Sequence, residues 1–390
     1  MKKSKTNIKQ SLMGLLIGLI FGGILILPGI VCPQLKAFFK TEMVTGGGVA
    51  FMLYWLAAMA IMGVAFYLQI IIHEAGHLVF GLLSGYKFVS FRVGSFIIMR
   101  SDNGQLKCGH FSIMGTAGQC LLEPPTENIE DAYRIPYKLY GMGGVIANIV
   151  AAIIAIVMVV TLEMGVLPLF SLIMLGATGI VMALMNGIPL KMSVPNDGYD
   201  VFVLGDDKEF LRLLWLQLKI NAQHSRGVKL ADMPEEWFAL PDDADLSNPM
   251  YAAIVGFRAS RFEEKFDFEN EWKELKRLYD QGSQLIPLYR METACDMLVA
   301  AVALRLGREQ IMSFMTEEVI RYAKIYSNNM VSRAVTYYVW QRFVEQKPAD
   351  KEAAQVRKIA EKSPMRGSAA NAVALLEWLE SLDVSEYAVN

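Results

Sequence analysis

The chain has 390 residues, 54% of them hydrophobic and only 19% charged, a balance that excludes an ordinary soluble domain and points to a membrane protein. A formal net charge of −2 leaves no electrostatic footprint for nucleic acid, so no such partner is expected. The four cysteines, Cys32, Cys108, Cys120 and Cys295, form no CxxC pair, which argues against a disulfide framework or a structural zinc module.

Lys, Arg, Asp and Glu are absent between Lys9 and Lys36, between Glu42 and Glu74, between Lys138 and Glu163, and between Glu163 and Lys191. Each window holds the roughly 20 apolar residues that a spanning helix needs. Four spans are expected, at about 11–31, 50–83, 142–162 and 167–189. Lys2, Lys3, Lys5 and Lys9 precede the first as they would a signal peptide. That run is longer than a typical signal core and lacks a clear small-x-small cleavage site, so it is read as an uncleaved helix. The same lysines put the N-terminus in the cytoplasm, and four spans return the C-terminus there. The lysine-rich start suggests a bacterial plasma membrane.

Residues 87–114, KFVSFRVGSFIIMRSDNGQLKCGHFSIM, alternate apolar and polar types around Asn103-Gly104. An Asn-Gly step between two such runs predicts a hairpin of two strands, lying at the membrane face. After Lys191 no comparable apolar window recurs. Apolar residues at three- and four-residue steps predict helices at 208–223, 249–265, 268–281, 286–306, 310–327, 330–346, 350–362 and 368–382,. Segment 232–238, DMPEEWF, reads as a helix start with Pro234 near its first turn,. The fold expected is an α-helical polytopic membrane protein of about four transmembrane helices. It carries a small membrane-associated β-hairpin or sheet and a C-terminal all-α soluble domain, for which a degenerate tetratricopeptide-like solenoid is one arrangement. The domains run 1–49 (first helix and an external loop), 50–200 (a core that includes the hairpin) and 201–390 (a cytoplasmic helical domain).

The second span contains IIHEAGHLVF, residues 71–80. An ionisable group at a membrane centre costs roughly 2.5–3.5 kcal/mol, so His73, Glu74 and His77 together call for a compensating partner. Four residues on a helix make about 400°, which stacks His73 and His77 on one face, one turn apart. That spacing suits two imidazoles converging on a zinc ion. Glu74, turned about 100° from His73, can reach a metal-bound water without ligating. This is the H-E-x-x-H device, in which the metal acidifies a water and the glutamate takes its proton. Zinc wants a third protein ligand and an open position. The segment MNGIPLKMSVPNDGYD, residues 185–200, can fold back at Pro189 and Pro195 and aim Asp197 at the metal; Asp200 is the reserve.

Three motifs in order resemble the site-two protease family of intramembrane zinc metalloproteases. They are His73-Glu74-Ala75-Gly76-His77, then GMGGVIANIV at 141–150 with Gly143, Gly144 and Asn148, then Asn186-Gly187-Ile188-Pro189 followed by Asp197-Gly198. The likeness covers roughly 50–200, although the step from Pro189 to Asp197 is longer than the family's usual form. The resemblance implies a three-helix core holding one zinc through His73, His77 and Asp197, with Glu74 as general base and then general acid. It implies that Asn148 and Asn186 support the substrate or the tetrahedral intermediate. Read without the family, Asn148 is a helix–helix hydrogen bond and Asn186 a helix cap. The family also pairs an edge strand near the hairpin with an extended substrate, which is β-augmentation.

The leading expectation is a zinc endopeptidase that cuts a membrane protein or peptide in or beside the lipid bilayer. The alternative is a non-proteolytic zinc-containing receptor or scaffold whose C-terminal helical domain binds a protein partner; an intact Glu74 argues against it. A zinc transporter needs polar ligands along several spans, and the charge-free windows lack them.

Overall fold

The structure, a computed structural model, describes residues 22–26, 29–30, 32–100, 104–111, 116–190, 195–282, 285–387 and 389. The expected first span therefore lies largely outside the described residues. The chain forms two compact units, Met1–Phe80 with Leu139–Leu190 and Asn196–Tyr199, and Gly81–Lys138 with Lys191–Pro195 and Asp200–Asn390.

The first unit is helical. Helix α1, Pro33–Thr45, occupies part of the expected external loop, with Pro33 in its first turn where a missing N–H costs nothing,. Among the described residues, three helices are long and apolar enough to cross a membrane: α2 at Gly47–Leu83, α3 at Tyr137–Thr161 and α4 at Val166–Gly187. Their outward faces carry exposed Phe51, Leu53, Trp55, Ile153 and Val157, the surface a lipid-facing helix presents. Inside, Leu35, Met62, Leu169, Phe170 and Met174 form a buried cluster.

The second unit joins a sheet to the helical half. The sheet is antiparallel and four-stranded in the order β3-β2-β1-β4, with β1 Lys87–Val93, β2 Phe96–Arg100, β3 Leu106–His110 and β4 Gly118–Glu123. The expected hairpin corresponds to β2 and β3, paired from Phe96 with His110 to Arg100 with Leu106. Gly104 takes φ +80° there; Asn103 lies outside the described residues. The first expected strand is in fact two. Gly94, at φ +58°, turns the chain back between Val93 and Phe96. Read as a string, that turn hides, because Gly94-Ser95 interrupts an otherwise continuous alternation. β4 follows the predicted region.

Helix α5, Lys208–Ser225, is tied to the sheet by Lys219, whose side chain is 2% exposed. Its Nζ lies 2.9 Å from Glu123 at the end of β4 and also meets Glu127. Trp215 Nε1 donates to Thr126 O at 3.2 Å. Helices α6 (Pro249–Glu264), α7 (Phe268–Gln281), α8 (Pro287–Ala303), α9 (Arg308–Met312), α10 (Glu317–Tyr326), α11 (Val331–Val339), α12 (Asp350–Lys362) and α13 (Arg366–Ser381) complete the domain around a continuous apolar core. The expected helix 310–327 is broken. Thr316 Oγ1 accepts from Val319 N at 3.4 Å and starts α10 as an N-cap, a local signal that the apolar periodicity overrode,. Pro234 precedes only a short 3₁₀ turn, Glu235–Phe238.

Candidate metal centre

The polar residues of α2 face α3 through a backbone-to-backbone crossing. A Cβ on Gly76 would stand 2.2 Å from Gly143 O, and one on Gly143 2.5 Å from Gly76 O. Small residues permit such close approach between membrane helices. One residue on, a Cβ on Gly144 would fall 2.5 Å from His73 Cε1, so the imidazole occupies the space that glycine leaves.

On that face three side chains converge. His73 Nε2 lies 3.1 Å from Asp197 Oδ2, and His77 Nε2 lies 3.6 Å from the same oxygen. The two Nε2 atoms are 3.1 Å apart. Among the described residues, this is the one group of three or more His, Cys, Asp and Glu side chains whose ligand atoms all lie within 4.8 Å of one another. Asp200 is not part of it. Glu74 is half-buried on the same helix, beside His73.

The other imidazole nitrogens are held from behind. His77 Nδ1 lies 2.9 Å from Tyr140 O, and His73 Nδ1 lies 2.7 Å from Asn148 Oδ1. The Asn148 amide orientation follows from its own bonds, since Nδ2 donates to Gln69 O at 3.0 Å and to Gln69 Oε1 at 2.7 Å. Gln69 Nε2 in turn donates to Leu175 O at 2.8 Å. A neutral imidazole facing these acceptors carries its proton on Nδ1 and leaves Nε2 bare. Two nitrogen lone pairs and a carboxylate oxygen then face one another, and Asp197 Oδ2 is buried with no hydrogen-bond partner. Such a set is repulsive without a cation between its members. Two imidazoles and one carboxylate are also the donor set of an open catalytic zinc site, so these residues fit that ion.

Asp197 reaches this position because Asn196 ties the returning chain to the end of α4. Asn196 is buried; its Nδ2 donates to Met185 O at 2.6 Å and Ile188 O at 2.7 Å, and its Oδ1 accepts from Leu190 N at 3.1 Å and Tyr199 N at 3.0 Å. It thus satisfies carbonyls left over at a helix end and caps the short turn Asp197–Tyr199,. Gly198 admits no side chain, since a Cβ would lie 2.2 Å from Gly187 O.

The two asparagines expected beside the substrate take different places. Asn148 is fully buried behind His73, its amide spent on His73 and Gln69. Asn186 is half-buried near the end of α4, its Nδ2 donating to Met182 O at 3.1 Å. Sequence reasoning overlooked Gln69 and Asn196. Gln69 lies one turn before His73 in a charge-free window, which is a readable signal. Asn196 stands directly before Asp197-Gly198, where asparagine favours caps and turns.

Searches of the curated proteins and of the solved structures return no match. The sequence pattern of Peptidase family M50 matches residues 61–390, the greater part of the chain, and takes in every residue of the centre. With three helices able to cross a membrane, the chain is a membrane protein that belongs to peptidase family M50, the site-two protease family.

Proposed function

We propose that this chain is an intramembrane zinc endopeptidase. The observation that carries the reading is the convergence of His73, His77 and Asp197 in a chain of a peptidase family. These three side chains would hold one zinc ion, with Asn148 and the Tyr140 carbonyl fixing the two imidazole tautomers. When bound, the ion would supply a Lewis acid that polarises the scissile carbonyl and acidifies a water molecule toward a pKa of about 7. Glu74 would act as the general base, taking a proton from the attacking water as its oxygen bonds to the carbonyl carbon. The same carboxyl then delivers the proton to the departing amide nitrogen as the C–N bond breaks. Asn186 holds the substrate backbone near the end of α4.

The substrate is a membrane protein or peptide in extended form. The outermost strand β3, largely exposed from Leu106 to Lys107 and Cys108, is a sheet edge of the kind that takes up an added strand. The setting is a bacterial plasma membrane, with both termini cytoplasmic.

The test is metal content of the detergent-purified full chain, beside cleavage of a model membrane substrate. Near one zinc per chain in wild type, loss of zinc in Asp197→Ala, and retained zinc with abolished cleavage in Glu74→Gln are expected. Carefully handled wild type without zinc would overturn the reading. Zinc with no cleavage that depends on Glu74 would favour a receptor or scaffold.

A further inference from the structure

Helix α7 buries Phe268, Leu275 and Leu278 at helical spacing, and Glu271 occupies the same stripe at 1% exposure. A carboxyl thus stands where a core leucine is expected. Its Oε2 is buried and has no hydrogen-bond partner. Buried carboxylates are ordinarily paired or ligating, so Glu271 is an anomalous group within the helical domain.

Glu271 lines a cavity of about 280 Å³ together with Glu263, Glu292 and Asp296. Among the described residues Arg333 is the one Lys or Arg on its wall, and it is already engaged by Asp296 and, at 3.8 Å, by Glu292. Glu264 accepts from Ala231 N at 2.8 Å. Glu263 has only the neutral Asn371 amide, at 2.6 Å. His224 brings no charge, because burial lowers its pKa. Two carboxyl groups at one cavity, Glu263 and Glu271, are therefore left without an ion-pair partner among the described residues. Burial and the neighbouring acids push Glu263 up to about 7 and Glu271 well above the ordinary carboxyl range.

A cation between them would relieve this arrangement. It is not a metal-sized one, since among the described residues ligand atoms converge at metal spacing only at His73, His77 and Asp197. The volume falls just below the roughly 300–1,000 Å³ of pockets for drug-sized molecules, which suits a single side chain or a small amine. We propose that this cavity binds an alkylammonium or guanidinium group, with Glu271 and Glu263 as its anionic partners and the Asn371 amide and Ser260 hydroxyl as polar contacts. The site is independent of the metal centre and of the peptidase reading.

The test is calorimetric titration of the detergent-purified full chain at pH 8. The probes are N-acetyl-lysine methylamide, N-acetyl-arginine methylamide and spermidine, with N-acetyl-norleucine methylamide as the uncharged control. Saturable binding of at least one cation is expected, with none of norleucine. Binding should weaken at least tenfold in Glu271→Gln and in Glu263→Gln. It should also weaken from pH 8 to pH 6, with proton release visible as a buffer-dependent enthalpy, which packing alone would not produce. Uptake of the capped amino acids but not spermidine would identify a peptide side chain as the source; the converse would identify a free amine. Absence of saturable binding of all three cations to wild type would overturn the proposal. So would equal affinity in folded glutamine variants, or equal affinity at pH 6 and pH 8; the last comparison needs no variant.

Discussion

Replacing Asn148 by alanine tests whether the residue behind His73 belongs to the metal site. The change removes the acceptor 2.7 Å from His73 Nδ1 and both donors to Gln69. Asn148 is fully buried, so bulk water does not take over these bonds. Losing the outer partner of a ligating histidine typically weakens metal binding 10–100-fold, or about 1.4–2.7 kcal/mol. The orphaned Gln69 groups add an unsatisfied-polar cost of about 1–3 kcal/mol that falls on stability rather than on zinc. Asn148→Asp separates the two effects. A carboxylate still accepts from His73 Nδ1 but cannot donate to Gln69, so zinc affinity should stay near wild type while stability drops. The assay is competition with a zinc chelator on the detergent-purified protein, alongside its thermal unfolding midpoint. Unchanged zinc affinity in a folded Asn148→Ala variant would refute the orienting role.

Gly144→Ala should weaken zinc binding with Glu74 untouched, because the new Cβ would meet the His73 ring at 2.5 Å; chelator competition reads this. Asn196→Ala should release Asp197 from the end of α4 and lower zinc content toward that of Asp197→Ala, measured as metal per chain. Lys219→Met leaves Glu123, 5% exposed, with Arg226 alone; breaking a buried pair costs about 3 kcal/mol, and an unmoved thermal midpoint would show that Arg226 suffices. Without an added cation, the helical domain should lose stability as pH rises. Raised carboxyl pKa values favour the protonated folded state, so the contribution is full below the unfolded value of about 4.3 and fades as pH passes about 7 for Glu263,. Thermal midpoints from pH 5 to pH 8 should fall in wild type and flatten in Glu271→Gln.

The convergence of His73, His77 and Asp197 was legible because a polar side chain inside an apolar window needs a partner, and two imidazoles one turn apart share theirs. His73 and His77 announce themselves by spacing, and Asp197 by lying before Gly198 just after the last apolar run. What holds them was less legible. The family likeness implies a substrate contact for Asn148, whereas the residue alone reads as a helix–helix hydrogen bond; its bond to His73 arises because Gly76 and Gly143 let two helices meet at backbone distance, and a string does not show which faces cross. The hairpin was legible, and the further strands were missed for a local reason. Gly94 supplies a positive φ inside an alternating run, and periodicity alone cannot distinguish a long strand from two joined by a tight turn. Glu271 is the opposite case: the helix over 268–281 is legible from its periodicity, but a string does not show that this carboxyl falls on the buried stripe.

Gln69, Asn148, His73, His77 and Asp197 form one connected set in the membrane unit, and that connection answers their cost in lipid. Leu175 O is met by Gln69, Gln69 by Asn148, and Asn148 by His73; Tyr140 O meets His77. Each link satisfies a group that would otherwise be orphaned in a low-dielectric interior. The chain stops at His73 Nε2, His77 Nε2 and Asp197 Oδ2, where three potential ligand atoms gather. A metal ion held there, as proposed, would complete the set and tie folding of this unit to metal binding. Stripping the metal should therefore lower the unfolding midpoint of wild type more than that of Asp197→Ala, which has already lost the crowding carboxylate along with the ligand. Equal shifts in the two proteins would mean that the network is stable by itself and that the three atoms tolerate one another without an ion.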